Sequence, residues 1–489
     1  MDSGIFETRA KQFRFLSRFF IVSKLDRRCF YAKVSASFMH ETETTEPPAA
    51  SPADEHPYAV FRNPDFTRYL IARFVSAFGM LMLLKAVDWE LYARTHSGLA
   101  LGFVGLAVMV PMVVCTLIAG HVADRFNRKK IILVSSAAML LASLGLTLVS
   151  ALAAPVGWIY LLLVVTGAAR TFLWPASAAF VTSLVPRRQL PRAITFNSGA
   201  FQLSCVLGPA LAGVIIWLTN GAWLVYALNV VAGGVCLGLI AGIQHEHKIA
   251  AREPMTLKNL VTGFKFVFQN KIILGTLSLD MFAVLLGGAV TLLPIFAKDV
   301  IHSGLGGFGG TADGLDFGLL SAALPVGAVL CVFILAHRPP LQKAGRTMLW
   351  CVAVFGVATV FFGLANRQCL GRWLPAADAV WFWLAFGLMA LCGAVDNVSV
   401  VVRATLVQVL TPDDKRGRVS AANSLFIGTS NELGGFESGF TQWLFGPVMG
   451  QTMATGAILS TVVGGIGTVV VVVVVAWLWP EIRRYGKLA

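Results

Sequence analysis

The chain has 489 residues, 56% of them hydrophobic and 13% charged, against roughly 25% charged in a soluble domain, which excludes a water-soluble globular protein and leaves a polytopic, all-α membrane protein. The net charge of +14 does not mark nucleic-acid binding, because the bases fall mainly between apolar runs; they read as a belt facing anionic lipid. The eight cysteines lie mostly inside apolar runs and form no C-x-x-C pair, so they read as small core residues rather than disulfides or metal ligands.

Residues 1-60 are unlike the rest. A basic opening up to Lys33 precedes His40 to Pro57, which is rich in Glu, Thr, Pro and Ala and is expected to be disordered. Either Phe13, Phe15, Leu16, Phe19, Phe20 and Ile21 make a short interfacial helix, or Met39 is the natural start.

From Phe66 onward hydropathy gives about twelve spans, at 66-92, 99-122, 131-154, 157-184, 194-219, 222-243, 271-297, 315-336, 347-365, 378-409, 420-446 and 454-479. An even number places both termini on one side. The short connections on that side carry roughly twenty Lys and Arg against about four opposite, which makes it the cytoplasmic side.

The organisation rests on an internal repeat. Pro186 to Ser198 (PRRQLPRAITFNS) matches Pro412 to Ser424 (PDDKRGRVSAANS) at an offset of 226, which also carries Gly208 onto Gly434 and Gly213 onto Gly439. Two six-helix halves, 61-243 and 271-482, are therefore expected, related by an axis along the membrane normal. The linker 244-270, with Leu257, Leu260, Val261, Phe264, Val267 and Phe268 at helical spacing, reads as an amphipathic surface helix. Residues 483-489 form a short cytoplasmic tail.

Ionisable groups inside spans are costly in lipid and are functional candidates for that reason. They are Arg73, Lys85 and Asp88 in span one, Arg170 in span four, Asp280 in span seven, Asp396 and Arg403 in span ten, and Glu432 and Glu437 in span eleven. The offset sets Arg170 opposite Asp396, so the two either pair across the interior or cap local polar networks. Asp280 has no base on the adjoining turns; it is expected to be isolated, and either exchanges a proton or is a neutral structural acid. Lys85 and Asp88, at i and i+3, can neutralise each other. Arg73 is near enough to the cytoplasmic end to snorkel. Glu432 and Glu437 differ by about 140° around a helix and face different surroundings.

Between spans two and three, Gly120-His121-Val122-Ala123-Asp124-Arg125-Phe126-Asn127-Arg128-Lys129-Lys130 makes a tight charged hairpin. This loop closely resembles the signature loop of the major facilitator superfamily. Asn127 stands where that family usually has Gly, and is expected to keep the turn by tolerating a left-handed backbone. Thr195, Ser204, Gly208-Pro209 and Ala212-Gly213 in span five resemble the superfamily's antiporter motif. Asp396-Asn397-Val398-Ser399 with Arg403, then Pro412 to Arg418 and Ser430 to Gly439, resemble the bacterial exporter branch that includes enterobactin exporters.

The resemblance implies that spans one, four, seven and ten line the cavity. It also implies that Gly120, Asp124, Arg125, Arg128 and Lys129 form a gating loop, with Asp124 docking on a second-half helix, and that Gly208, Pro209 and Gly213 bend and pack span five. The implied function is proton-coupled export of an amphipathic compound, a siderophore or drug, by a monomer in the bacterial inner membrane. The partners expected are the substrate, protons and lipid; no cofactor is expected beyond the proton gradient. A lipid or lysolipid translocator, a proton-coupled importer and a non-transporting receptor are the alternatives. Enzyme motifs are missing: Gly304-Leu305-Gly306-Gly307-Phe308-Gly309 satisfies G-x-G-x-x-G but lies in a connection between spans rather than a strand-to-helix turn.

Overall fold

A computed structural model describes residues 58-186, 188-244, 264-303, 313-337, 343-371, 373, 375-412 and 416-486. Most of the N-terminal tail, the linker residues 245-263 and the glycine-rich loop 304-312 lie outside the described residues, as does the Asp124 side chain. The expectations placed on them stay expectations.

The unit Val60–Ala489 is built from long helices laid antiparallel: α1 (Pro64–Thr95), α2 (Gly98–Arg125), α3 (Arg128–Ala151), α4 (Gly157–Leu184), α5 (Leu190–Thr219), α6 (Trp223–Ala241), α7 (Lys271–Leu286), α8 (Asp313–Ala336), α9 (Ala344–Leu364), α10 (Asp378–Leu410), α11 (Arg416–Trp443) and α12 (Met453–Leu478). A short α13 (Pro480–Arg484) follows. Side-chain caps start several of them by accepting the free N–H groups of the first turn: Asn63 for α1, Ser97 for α2, Asn270 for α7 and Thr452 for α12. Asn127 does the same for α3. Its backbone is extended and its side chain accepts from Lys129 and Lys130 N–H, so the residue serves as a cap rather than as a left-handed turn.

The ends of the helices define two faces. At one, the terminal face, the start of α1 meets the ends of α4 and α6 through Asn63 Nδ2 to Leu184 O at 2.6 Å and Arg68 to Gly242 O at 2.9 Å. Lys129 there donates to Ala241 O and Ile243 O, and Arg128 to Ala179 O. The far face carries the connection through His96 and Ser97 and the left-handed turn at Asn220.

The helix pairings repeat. In the first six, α1 packs on α5 and α6, and α4 on α2 and α3, while α3 lies against α6. In the second six the corresponding pairs are α7 with α11 and α12, α10 with α8 and α9, and α9 with α12. The two sets meet mainly along α2 with α11 and α5 with α8, pairs that also exchange under the repeat.

Among the described residues eleven helices are long and apolar enough to cross a membrane. The exception, α11, carries Asn423, Asn431, Glu432 and Glu437 and is wedged between α2 and α7, where polar groups are sheltered from lipid. The seventh span is not one helix. α7 ends at Leu286, and the chain continues through a 3-10 turn (Ala289–Leu292) and a π turn (Phe296–Val300). At the break α11 presses so close that a Cβ on Gly288 would sit 2.6 Å from Gly434 O.

Candidate functional site

The glycines matched by the repeat hold equivalent crossings. Gly208 of α5 rests on the α1 backbone at Phe78 and Met82, and Gly434 of α11 on the α7 backbone at Val284 and Leu285. Gly213 lies against Gly314 and Gly318 of α8, and Gly439 against Gly98 and Gly102 of α2. The helix α5 continues unbroken through Pro209. The second pair of crossings therefore joins the two halves backbone to backbone near the far face, the close approach that small residues permit.

The apolar core shows the same asymmetry. One buried cluster draws on both halves toward the far face, joining Leu91, Leu101 and Ile216 to Leu293, Phe317 and Phe382. Toward the terminal face the buried clusters belong to single halves: one around Phe66, Ile131, Phe180 and Ile240, and two in the second half around Met348 with Leu406 and around Leu277 with Val419. The halves are thus fused at the far face and carry separate cores at the other. Tyr92 of α1 donates to Asp299 beyond α7 and lies under Lys298 at 6.0 Å, and Trp89 packs on Phe317, adding a polar latch to the fused side.

Four of the expected charges gather at mid-depth, beside the fused region. Lys85 and Asp88 pair at 2.6 Å on α1; both of them and Arg170 of α4 act electrostatically on Glu432 of α11. Glu432 sits where α11 crosses α2, its own carbonyl 2.5 Å from where a Cβ on Gly105 would be. Two cations and two carboxylates from both halves therefore stand within electrostatic range of one another. Such a cluster can bind a polar or charged group and can exchange a proton against it.

The remaining charges have other neighbours than the sequence suggested. Asp280 is not isolated: Arg403 of α10 forms an ion pair with it, and the two are 8% and 4% exposed. A base 123 residues away in the chain cannot be read from the adjoining turns. Among the described residues Arg170 makes no ion pair with Asp396; the offset matched their helices, but the carboxylate on which Arg170 acts is Glu432. Arg73 lies 5.3 Å over the Trp174 ring of α4, a cation–π contact. Glu437 accepts from Ser438 Oγ at 3.3 Å.

Sequence reasoning missed Glu90, buried and paired with Arg94 at 3.2 Å, although it lies inside the first span. It also missed Tyr92 and Asp299, and Asp316, whose carboxylate accepts from Ser303 N–H at 2.9 Å. Tyr92, Asp299 and Asp316 lie near helix ends, where a polar residue carries no hydropathy signal.

Comparison with known proteins agrees with the architecture. The family model described as Major Facilitator Superfamily matches residues 69–435. The enterobactin exporter EntS of Citrobacter koseri is 27% identical over 432 residues, covering 87% of this chain and 94% of that protein. The enterobactin exporter EntS of Shigella boydii serotype 18 is 25% identical over the same length and coverage. Among solved structures, a mutant of the nucleoside transporter NupG superposes with a TM-score of 0.64 at 12% identity, covering 85% of this chain and 100% of that one. A bacterial homologue of the human lysosomal transporter Spinster, solved inward-facing and unoccupied, gives 0.60 at 14% identity, covering 89% and 99%. At such identities the superpositions speak for the fold alone.

Proposed function

The chain belongs to the Major Facilitator Superfamily, and from that premise we propose that it is a proton-coupled exporter of an amphipathic small molecule, with siderophores of the enterobactin type first among the candidate cargoes. The observation that carries the reading is the cross-half cluster of Lys85, Asp88, Arg170 and Glu432. The terminal face is cytoplasmic on this reading, in keeping with the bases of its short connections, so the separate cores leave the cluster approached from the cytoplasm.

An anionic or catechol-bearing cargo binds beside Arg170. Its hydroxyls donate to the Glu432 carboxylate only after that group has given up its proton, so cargo and proton occupy the site in turn, as exchange across the membrane requires. The enterobactin exporters, similar along most of the chain, support the cargo class and the outward direction.

Transport by the purified protein in proteoliposomes tests this. A siderophore or drug substrate should move against its gradient when a proton gradient is imposed, and Glu432→Gln should leave downhill exchange while uncoupling it from protons. Coupled transport unchanged in both Glu432→Gln and Arg170→Gln would refute the assignment.

A further inference from the structure

A second charged feature lies outside the transport pathway, where α9 begins and the chain ends. The two are joined closely: Ala344 N–H donates to Gly486 O at 3.1 Å, and Arg346 Nε to Arg483 O at 3.3 Å. This brings α13 against the first turn of α9 and sets Arg483 and Arg484 beside Arg346. Two adjoining hollows, of about 430 and 400 Å³, share Arg346 and Trp350. The first is completed by Leu349, Arg483 and Arg484. The second runs from Lys343 and Thr347 down to Val354 and Val395.

The groove is graded from basic to apolar. Lys343, Arg346, Trp350 and Val354 recur at i, i+3, i+7 and i+11, one stripe of a helix, and the stripe spans about 16 Å along the axis. That is close to the roughly 15 Å of one hydrocarbon leaflet. Trp350 is 71% exposed, a large ring that no described residue covers, about two turns into α9. The neighbouring acid is engaged: Glu481 pairs with Lys271 at 3.5 Å. A hydrogen bond donated to the carboxylate by its own backbone N–H, then Lys271 and Arg484, hold its carboxyl below the usual range. Among the described residues, the charge without a paired acid falls on Lys343, Arg346 and Arg483.

We propose that this groove holds one anionic phospholipid, its phosphate among Lys343, Arg346 and Arg483 and an acyl chain along Trp350, Val354 and Val395. A free phosphate would satisfy the cations but leave the apolar stripe uncovered; a zwitterionic lipid would cover the stripe but carries its own compensating cation. Only the anionic lipid matches both ends.

The test uses the full chain in detergent, with phosphatidylglycerol and phosphatidylcholine titrated separately and bound lipid counted by native mass spectrometry. Phosphatidylglycerol should bind at one saturable site more tightly than phosphatidylcholine. A base near the membrane surface contributes about fivefold, so Lys343→Gln should weaken binding about fivefold and Arg346→Gln with Arg483→Gln about twenty-five-fold. Lys130→Gln, which removes a base elsewhere on the same face, should leave it unchanged.

Phosphatidylglycerol brominated in its acyl chain should quench part of the tryptophan fluorescence in the native protein, and Trp350→Phe, a conservative change, should remove that part. Equal binding of the two lipids, equal losses in the Lys130→Gln control, or quenching unaltered by Trp350→Phe would overturn the proposal. Displacement of the lipid by millimolar inorganic phosphate would overturn it too, by making the groove a site for a soluble anion.

Discussion

Placing a side chain in one far-face seam should open the other. A Cβ on Gly439 would lie 2.8 Å from Gly102 Cα, where packed carbons stand about 3.5–4.0 Å apart, so Gly439→Val forces α2 and α11 apart by roughly 1 Å. Overpacking of this kind costs about 1–3 kcal/mol. The cost falls only on the conformation in which the seam is shut, and it therefore shifts the ratio of far-face-open to far-face-closed molecules by roughly 5- to 150-fold. The reporter belongs on the other seam, so that it reads the rocking of whole halves and not local distortion. Ile216 on α5 is 1% exposed and lies beside Gly314 of α8. With the eight native cysteines replaced, Ile216→Cys should react slowly with a membrane-impermeant maleimide added from the far side, and faster by the same factor when Gly439→Val is added. Gly199→Ala, where a Cβ meets nothing within 4 Å, is the control. A labelling rate unchanged by Gly439→Val in folded protein would refute the rigid-half reasoning.

Tyr92→Phe removes the latch to Asp299, a hydrogen bond to a charged acceptor worth about 1.5–3 kcal/mol; the same labelling assay should accelerate. The Asp280 and Arg403 pair predicts asymmetry in thermal unfolding: Asp280→Asn alone leaves a buried guanidinium uncompensated, at a cost of about 3–5 kcal/mol. Asp280→Leu combined with Arg403→Met should recover most of the lost thermal midpoint, and additive losses would show that the pair is not buried as a unit. Asn127→Ala removes the α3 cap and should lower stability by about 1 kcal/mol in a denaturation measurement, leaving labelling on the Ile216→Cys background unchanged.

The spans were legible because lipid forces every backbone group into helix and lets hydropathy mark the result. The repeat was legible because it recurs as residues: the offset that carries Gly208 onto Gly434 and Gly213 onto Gly439 predicted equivalent positions, and each pair makes equivalent crossings. The break after Leu286 was hidden, since Gly287 and Gly288 interrupt an apolar run without polar punctuation, and the cause lies in α11 pressing at Gly434. Charge partners were hidden for a related reason. A repeat states which helices correspond but not which side chains meet, so Arg170 was matched to Asp396 while the fold sets it within electrostatic range of Glu432. Arg403 likewise reaches Asp280 across the pairing of α10 with α7.

These partnerships separate structural charges from those fit for coupling. Asp280 and Arg403 belong to the same half, and a half that rocks as a body carries both along, so their attraction is equal in the two states. By the rule that a ligand or proton shifts an equilibrium only through a difference between states, such a pair cannot couple proton binding to opening. Glu432 and Arg170 come from opposite halves, and rocking alters the distance between them. A difference of that kind between states is what coupling requires, and on the proposed function Glu432 supplies it. Lys85 and Asp88, paired within α1, move with Arg170 and keep the first-half side of the cluster fixed in charge while Glu432 moves against it. On the proposed function the coupling role, open on the sequence between Asp280 and Glu432, falls to Glu432 of α11, a helix whose polarity sets it apart from the eleven apolar spans found among the described residues.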